Sequence, residues 1–189
     1  FNGDNYTEEW HQEAERRGLP NIRNSVDALP VILRKDTVEL FTKYKVYSER
    51  ELQSRFTILS ENYAKTINIE GQLMSMMART QILPAALRYQ AEVAQAVNAT
   101  KAAGVDNGAQ AELLKGLTKT ISDFQAATAA LDKALAHHGD GDAFAHAKHM
   151  RDHVVPAMAE LRKLGDRLET VVADDYWPLP TYREMLFIK

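Results

Sequence analysis

Apolar residues recur every three or four positions through a run of roughly 55 residues, from Ser48 to about Ala103. This period predicts one amphipathic helix about 80 Å long, opened by the capping box Ser48-Glu-Arg-Glu51. Pro84 removes one backbone hydrogen bond inside it, which predicts a kink of more than about 20° without an end to the helix. The apolar positions are Leu52, Phe56, Leu59, Tyr63, Ile67, Met74, Met77 and Leu87.

Two further long helices follow the first. Residues 104–108 predict a turn, and Asn107 with Gln110 forms a capping box for a second helix that stops at Gly139-Asp-Gly141. Asp142 caps a third helix, which continues past Pro156 to about Val172. Short connections between long helices place neighbours antiparallel. The sequence therefore predicts an all-α fold, an elongated antiparallel bundle of three long helices.

Shorter elements flank the bundle. The pattern predicts a helix over 8–17, a turn over 25–29 capped by Ser25 and interrupted by Pro30, and a helix opened by the capping box Asp36-Thr-Val-Glu39. The prolines in 174–180 exclude regular helix there, and Thr181 with Glu184 caps a last helical turn. We therefore divide the chain into a junction (1–47), the long-helix bundle (48–173) and an extended C-terminal tail (174–189).

Composition and charge narrow the function. Apolar residues make up 45% of the chain, and the formal net charge of −3 gives no indication of the strongly basic face that nucleic acid requires, so we expect no nucleic-acid partner. We find no membrane span or signal peptide, and the absence of cysteine favours a reducing, cytoplasmic compartment. Because the chain begins at Phe1 rather than Met and ends on an apolar run, we expect it to be a piece of a longer polypeptide.

Three histidines form the strongest candidate for chemistry. His146, His149 and His153 share one helical face, where neutral imidazoles and Asp142 one turn earlier have the spacing of Zn²⁺ ligands. Their charged neighbours are instead typical of a solvated face, so we favour exposed or interfacial histidines and leave the zinc site as the alternative. We interpret His137 and His138 as helix-terminal residues.

Other candidate sites are weaker. A di-iron bundle needs two Glu-x-x-His motifs, and only Glu8 with His11 provides one. No glycine-rich phosphate loop is present, and the sequence predicts no catalytic, cofactor-binding or metal-binding residue. The methionines Met74, Met76 and Met77 fill the core or form a pliable partner surface. In the tail, we expect uncovered apolar surface at Trp177, Leu179, Leu186, Phe187 and Ile188.

Six short segments carry a family resemblance: Asn5 to His11, Arg17 to Pro20, Tyr47 to Leu52, Lys65 to Glu70, Ile82 to Ala85 and Trp177 to Tyr182. Taken in order, they resemble the C-terminal region of type III glutamine synthetase. The resemblance spans Asn5 to Phe187 and is weakest between about Ala91 and Ala147. Lys45 stands where it leads us to expect a turn glycine.

The resemblance implies a larger enzyme. That family joins ammonia to glutamate with ATP and divalent cations such as Mg²⁺, through γ-glutamyl phosphate, in ring-shaped homo-oligomers. Its catalytic core would lie upstream of Phe1, so no catalytic residue carries over. This chain would then support the core or form subunit contacts, and Asn68, Glu70 and Arg79 either contact the core or make structural hydrogen bonds. The alternatives are a free-standing helical interaction or ligand-sensing domain, and a metal-binding helical enzyme.

Overall fold

The computed structural model describes residues 6–136 and 141–186, and over these ranges it is all-α without strands, as the sequence predicts. The α-helices are α1 (Glu8–Arg16), α2 (Ser25–Ala28), α3 (Lys35–Lys43), α4 (Glu49–Met77), α5 (Leu83–Ala102), α6 (Gly108–Ala136), α7 (Ala143–His149), α8 (Val155–Glu169) and α9 (Tyr182–Leu186). A 3-10 helix (Leu29–Leu33) follows α2.

The predicted long helix is confirmed and runs from Glu49 to Ala102 through α4, a π-helical turn and α5. Its capping box is formed as expected. The Ser48 backbone N–H donates to the Glu51 carboxylate at 2.7 Å, and the Glu51 N–H donates to Ser48 Oγ at 3.3 Å. These bonds pair backbone groups that the first helical turn leaves without intrahelical partners.

Both prolines inside the long helices follow a π-helical turn. The turn Ala78–Ile82 precedes Pro84, and the turn Met150–Val154 precedes Pro156. In each, the residue before the proline donates its N–H to a carbonyl five positions back, Leu83 to Ala78 and Val155 to Met150. The helix therefore continues through each proline with a widened turn rather than a loop, and the predicted kink angle stays a prediction.

Contacts between the long helices set their directions. Ser75 Oγ donates to Asp132 Oδ1 at 2.5 Å, and Gln90 Nε2 donates to Thr118 Oγ1 at 2.7 Å. Later residues of α4 and α5 thus contact earlier residues of α6, so α6 runs antiparallel to the long helix. α8 packs on α6 and α7 on α4. The largest fully buried apolar side chains between the helices are Phe124, Leu131, Met150, Leu161 and Leu168.

Two predicted helix starts are wrong. Arg34, not Asp36, precedes α3, because its guanidinium binds the Asp36 carboxylate at 3.1 and 2.6 Å and the helix begins without a side-chain cap. Asn24, not Ser25, caps α2, and its Oδ1 accepts from the Asp27 N–H at 2.9 Å. Pro30 does not interrupt the chain there, since proline is tolerated in the first turn of the 3-10 helix.

The other predicted boundaries agree with the structure. Asp142 caps α7 through the Ala145 N–H at 2.9 Å, and the Thr181–Glu184 box opens α9. Asn107 lies in the predicted turn before α6 and its Nδ2 donates to the Val97 carbonyl at 3.0 Å, while its capping box with Gln110 stays a prediction. The predicted stop at 139–141 lies mostly outside the described residues, as do His137 and His138.

The C-terminal tail has no regular helix between α8 and α9 beyond short turns. Tyr176 and Trp177 pack against the core, and the Tyr176 ring lies 6.2 Å from that of Tyr89. Leu186 is 74% exposed, which confirms uncovered apolar surface at that residue. Leu179 is half-buried, and Phe187 and Ile188 lie outside the described residues.

Candidate functional site

A stripe of exposed apolar side chains lies along one side of the long helix. Within α4 its residues are separated by 11, 4 and 3 positions, each close to a whole number of helical turns, so they share a face, and Leu87 beyond the π turn is also exposed. The other side of α4 is buried at Ser60, Ala64, Gly71 and Ser75. We call the exposed residues the long-helix stripe: Ile58 (53% exposed), Ile69 (65%), Leu73 (49%), Met76 (51%) and Leu87 (44%).

The stripe is large for an uncovered surface. At about 200 Å² for a fully exposed aliphatic side chain, these fractions amount to roughly 500 Å² of accessible surface. Lys65 lies between Ile58 and Ile69, so this surface is a row of separate apolar side chains rather than one contiguous patch, and such a row along one face favours a contact site. The sequence analysis missed most of the stripe. It used the three-to-four spacing of the predicted core residues, and Ile58, Ile69 and Leu73 lie between those residues in the sequence.

A groove of about 400 Å³ opens beside the N-terminal end of the stripe. The Arg55 guanidinium lies 4.2 Å from the centroid of the Tyr47 ring, and Ile58 and Leu59 supply the apolar wall. Tyr47 is itself held by Phe41 of α3, with ring centroids 5.6 Å apart. Packing of α3 on the start of α4 therefore shapes an apolar groove with one stacked cation.

Two of the three residues for which a contact with the catalytic core was considered, Arg79 and Asn68, bond within this chain. Arg79 of the first π turn pairs with Asp132 of α6, and the same carboxylate accepts from the buried Ser75 hydroxyl. Asn68 Oδ1 accepts from Gln72 Nε2 at 3.4 Å, one turn along α4. Both observations fit the structural interpretation of these side chains. Glu70 is exposed, and its contact with an upstream core stays a prediction.

The three candidate histidines have different surroundings. His149 Nε2 lies 2.9 Å from the Ala134 carbonyl oxygen, and its ring centroid is 4.9 Å from that of His153. His146 is half-buried and His153 is exposed. Asp142, the proposed fourth ligand, uses its carboxylate to cap α7. Across 6–136 and 141–186, no three His, Asp or Glu side chains are grouped so that they could hold a metal ion.

A second ion cluster joins α2 to the other π turn. Arg151 binds Asp27 of α2 and also Asp152, whose carboxylate lies 2.6 Å from Arg151 Nε. This guanidinium holds the pKa of Asp152 below its ordinary value. Burial raises the pKa of the nearby Tyr63, which lies on the adjoining face of α4. The cluster fastens the junction to the bundle.

A short repeat accounts for both ion clusters, and the sequence reasoning missed it. The motif R-x-x-[IV]-[LV]-P-A occurs at 79–85 and at 151–157. In each copy the arginine is the second residue of a π turn and binds an aspartate on another helix. Comparison of the two proline-containing helices would have revealed the motif.

The remaining candidates are divided between surface and core. Met74 packs against the core, whereas Met76 is exposed and belongs to the stripe. Core filling therefore describes Met74, and an exposed surface position describes Met76. Glu8 and His11 are exposed on α1, away from the long helices.

Comparison with known proteins identifies the family. Residues 1–101 match the family model described as glutamine synthetase C-terminal domain. The chain belongs to this family. It is 33% identical to a glutamine synthetase of Butyrivibrio fibrisolvens over 99% of its length, and 31% identical to the type-3 glutamine synthetase of Dictyostelium discoideum over 100%. A glutamine synthetase of Bacteroides fragilis (strain YCH46) is 30% identical, also over 100% of the chain.

This glutamine synthetase C-terminal domain spans 27% of the length of the curated relatives it matches. The long-helix stripe, the groove and the first R-x-x-[IV]-[LV]-P-A motif all fall within residues 1–101. The left-handed backbone at Lys45 (φ 54°) confirms a position that favours glycine, as the resemblance led us to expect. Among its described helices, none combines the length and apolar character needed to cross a membrane.

Proposed function

We propose that this chain is the C-terminal structural portion of a glutamine synthetase, an enzyme that joins ammonia to glutamate with ATP and Mg²⁺. One observation carries the proposal: relatives with that name align over 99–100% of the chain, while the chain spans 27% of their length. This coverage is expected of a domain that works inside a larger polypeptide.

The work of the domain, in this proposal, is assembly. The long-helix stripe supplies apolar surface for the catalytic core or for neighbouring subunits of a ring-shaped homo-oligomer in the cytoplasm. The arginine–aspartate pairs Arg79–Asp132 and Arg151–Asp27 support this role because they hold the helices to one another beneath and beside that surface. ATP, Mg²⁺ and substrate would bind to the remainder of the enzyme.

The first test changes the stripe in the complete enzyme. Leu73→Asp places a charge in the middle of the stripe, and we expect it to lower the assembled fraction measured by sedimentation before it alters the rate per assembled enzyme. The matched control is Val105→Asp, an exposed apolar residue (60%, against 49% for Leu73) in the turn between α5 and α6. Equal effects of the two changes would refute an assembly role for the stripe.

The second test asks whether the chain acts alone. We expect the 189-residue chain to make no glutamine from glutamate, ammonia and Mg-ATP, because phosphoryl transfer requires acids that hold the cations and basic groups around the moving phosphate. Turnover above background, abolished by replacing a residue within the chain, would contradict the proposal and reveal an active site.

A further inference from the structure

We propose that Asn107 is a modification site, at which the side-chain amide is converted without an enzyme into aspartate and isoaspartate. The site lies in the turn between α5 and α6, and this inference does not depend on the proposed function. Asn107 is followed by Gly108, and among the asparagines within 6–136 and 141–186 it is the only one that precedes a glycine.

The conversion passes through a cyclic imide. The Gly108 backbone nitrogen attacks Asn107 Cγ, the bond from Cγ to Nδ2 breaks, and the amide leaves as ammonia with the proton that the attacking nitrogen loses. Water then opens the ring at one of its two carbonyl groups. One opening gives aspartate, and the other gives isoaspartate, in which the main chain runs through the former side chain. Water is the only co-reactant.

The attacking nitrogen is unhindered and lies outside the helical hydrogen-bond ladder. Gly108 has no Cβ, so no side chain of its own blocks the approach to Asn107. It is the first residue of α6, where a backbone N–H has no intrahelical partner. Its N–H instead donates to Asp106 Oδ1 at 3.3 Å, so a proton acceptor lies beside the nitrogen that must lose its proton.

The turn is accessible to water. Residues 101–106 and 108–110 are exposed, and Asn107 itself is half-buried. α6 has no buried residue before Leu117, so its first turn can open without uncovering the core. The local rearrangement that brings the Gly108 nitrogen to Asn107 Cγ therefore leaves the rest of the bundle intact.

Two hydrogen bonds restrain the asparagine and set the expected rate. Asn107 Nδ2 donates to the Val97 carbonyl at 3.0 Å, and the Asn107 carbonyl accepts from the Ala111 N–H at 2.9 Å. Both must open for the ring to close, and one net hydrogen bond reduces an open population by roughly two- to tenfold. The fold should therefore slow the conversion by roughly four- to a hundredfold relative to a peptide of residues 103–111, without preventing it.

The products alter the connection between α5 and α6. Neither retains Nδ2, so the Val97 carbonyl loses its donor and faces a carboxylate, and the formal net charge changes from −3 to −4. Isoaspartate also lengthens the main chain by a methylene group directly before α6, which moves the Asn107 carbonyl out of register with the Ala111 N–H. Conversion should therefore loosen the start of α6.

Incubation of the chain in mildly alkaline buffer tests the proposal. Peptide mapping by mass spectrometry follows the exchange of NH2 for OH at Asn107, and a protein isoaspartate methyltransferase labels the isoaspartate product. The matched control is Gly108→Ala, whose methyl group would lie 3.7 Å from Asp106 Oδ1, an ordinary contact that retains the fold while hindering the attacking nitrogen. We expect both products in the parent chain and loss of the isoaspartate signal in Gly108→Ala.

Circular dichroism during the incubation verifies that the parent chain stays helical, and unfolding it in urea should raise the rate to that of the 103–111 peptide. The peptide that contains Asn2 and Gly3 is scored separately, since that pair lies outside the described residues. Absence of conversion at Asn107 in the folded chain would overturn the proposal. Equal conversion of the parent and Gly108→Ala would overturn it as well, because direct hydrolysis of the amide does not involve the Gly108 nitrogen.

Discussion

Gly71 and Gly116 occupy interior positions of α4 and α6, and their replacement by alanine should change the stability of the fold in opposite directions. Gly71 is buried and faces Leu135 of α6 and Val154 of the second π turn. A methyl group there would lie 2.9 Å from Leu135 Cδ2 and 3.4 Å from Val154 Cγ1. A methyl group at Gly116 would meet no atom of another residue within 4 Å.

The magnitudes follow from two opposing effects. Alanine is favoured over glycine in a helix interior by about 1 kcal/mol, so Gly116→Ala should raise the free energy of unfolding by roughly that amount. Gly71→Ala gains the same helical preference but overpacks the core, which costs about 1–3 kcal/mol because Leu135 is buried and cannot move away freely. The net change at Gly71 is therefore a loss of up to about 2 kcal/mol.

Urea unfolding followed by circular dichroism measures both changes. For a chain of this length, 1 kcal/mol corresponds to about 2–4 °C in Tm. Gly165→Ala is a further control, since its methyl would lie 3.8 Å from Phe124 Cε2, an ordinary contact. In a Leu135→Ala background, Gly71→Ala should become stabilising. If Gly71→Ala stabilises the parent chain as much as Gly116→Ala does, the close approach at Gly71 is refuted.

Three further changes test other parts of the fold. Lys45→Gly should stabilise the chain by about 1 kcal/mol in urea unfolding, because Lys45 has a left-handed backbone. Hydrogen bonds from Ser48 lower the pKa of Glu51 in the folded state. The Glu51 carboxylate therefore stabilises the fold above its unfolded-state pKa, and this stabilisation is lost as the pH falls through its folded-state pKa. Glu51→Gln should cost less stability at about pH 3 than at about pH 7. Asp132→Asn should cost less than about 1 kcal/mol, since the Arg79–Asp132 pair is largely exposed.

Local rules predicted the helix starts where the capping side chain has no competing partner. Ser48 and Asp142 bond only with groups at their own helix start, and both caps are present. The predicted Asp36 cap is not formed, and the Asp36 carboxylate instead accepts from the Arg34 guanidinium and the Thr37 N–H. A capping box can be recognised from the spacing of residues along the sequence. Which of two nearby donors a carboxylate binds depends on side-chain geometry, which that spacing does not describe.

The stripe was missed for a different reason. The apolar residues of α4 form one set that faces the bundle and a second set that faces outward. A search for residues spaced by three or four positions identifies only one of these sets. Leu59 was assigned to the buried pattern but is 45% exposed, while Ser60 beside it is buried. A helix that is apolar on two faces is typical of one with two packing surfaces, and the period of one face does not describe the other.

The π turns explain why the error grows beyond Pro84. A π turn contains more than 3.6 residues, so each position after it is rotated relative to an uninterrupted α-helix. The sequence analysis grouped Leu87 with the core positions of α4, whereas the structure exposes Leu87 and buries Ala85, Ala86 and Val93 instead. The alanines that looked like simple helix formers are thus the core side of α5, where small side chains let α6 approach, and the leucine left outside extends the apolar surface of α4 past the proline.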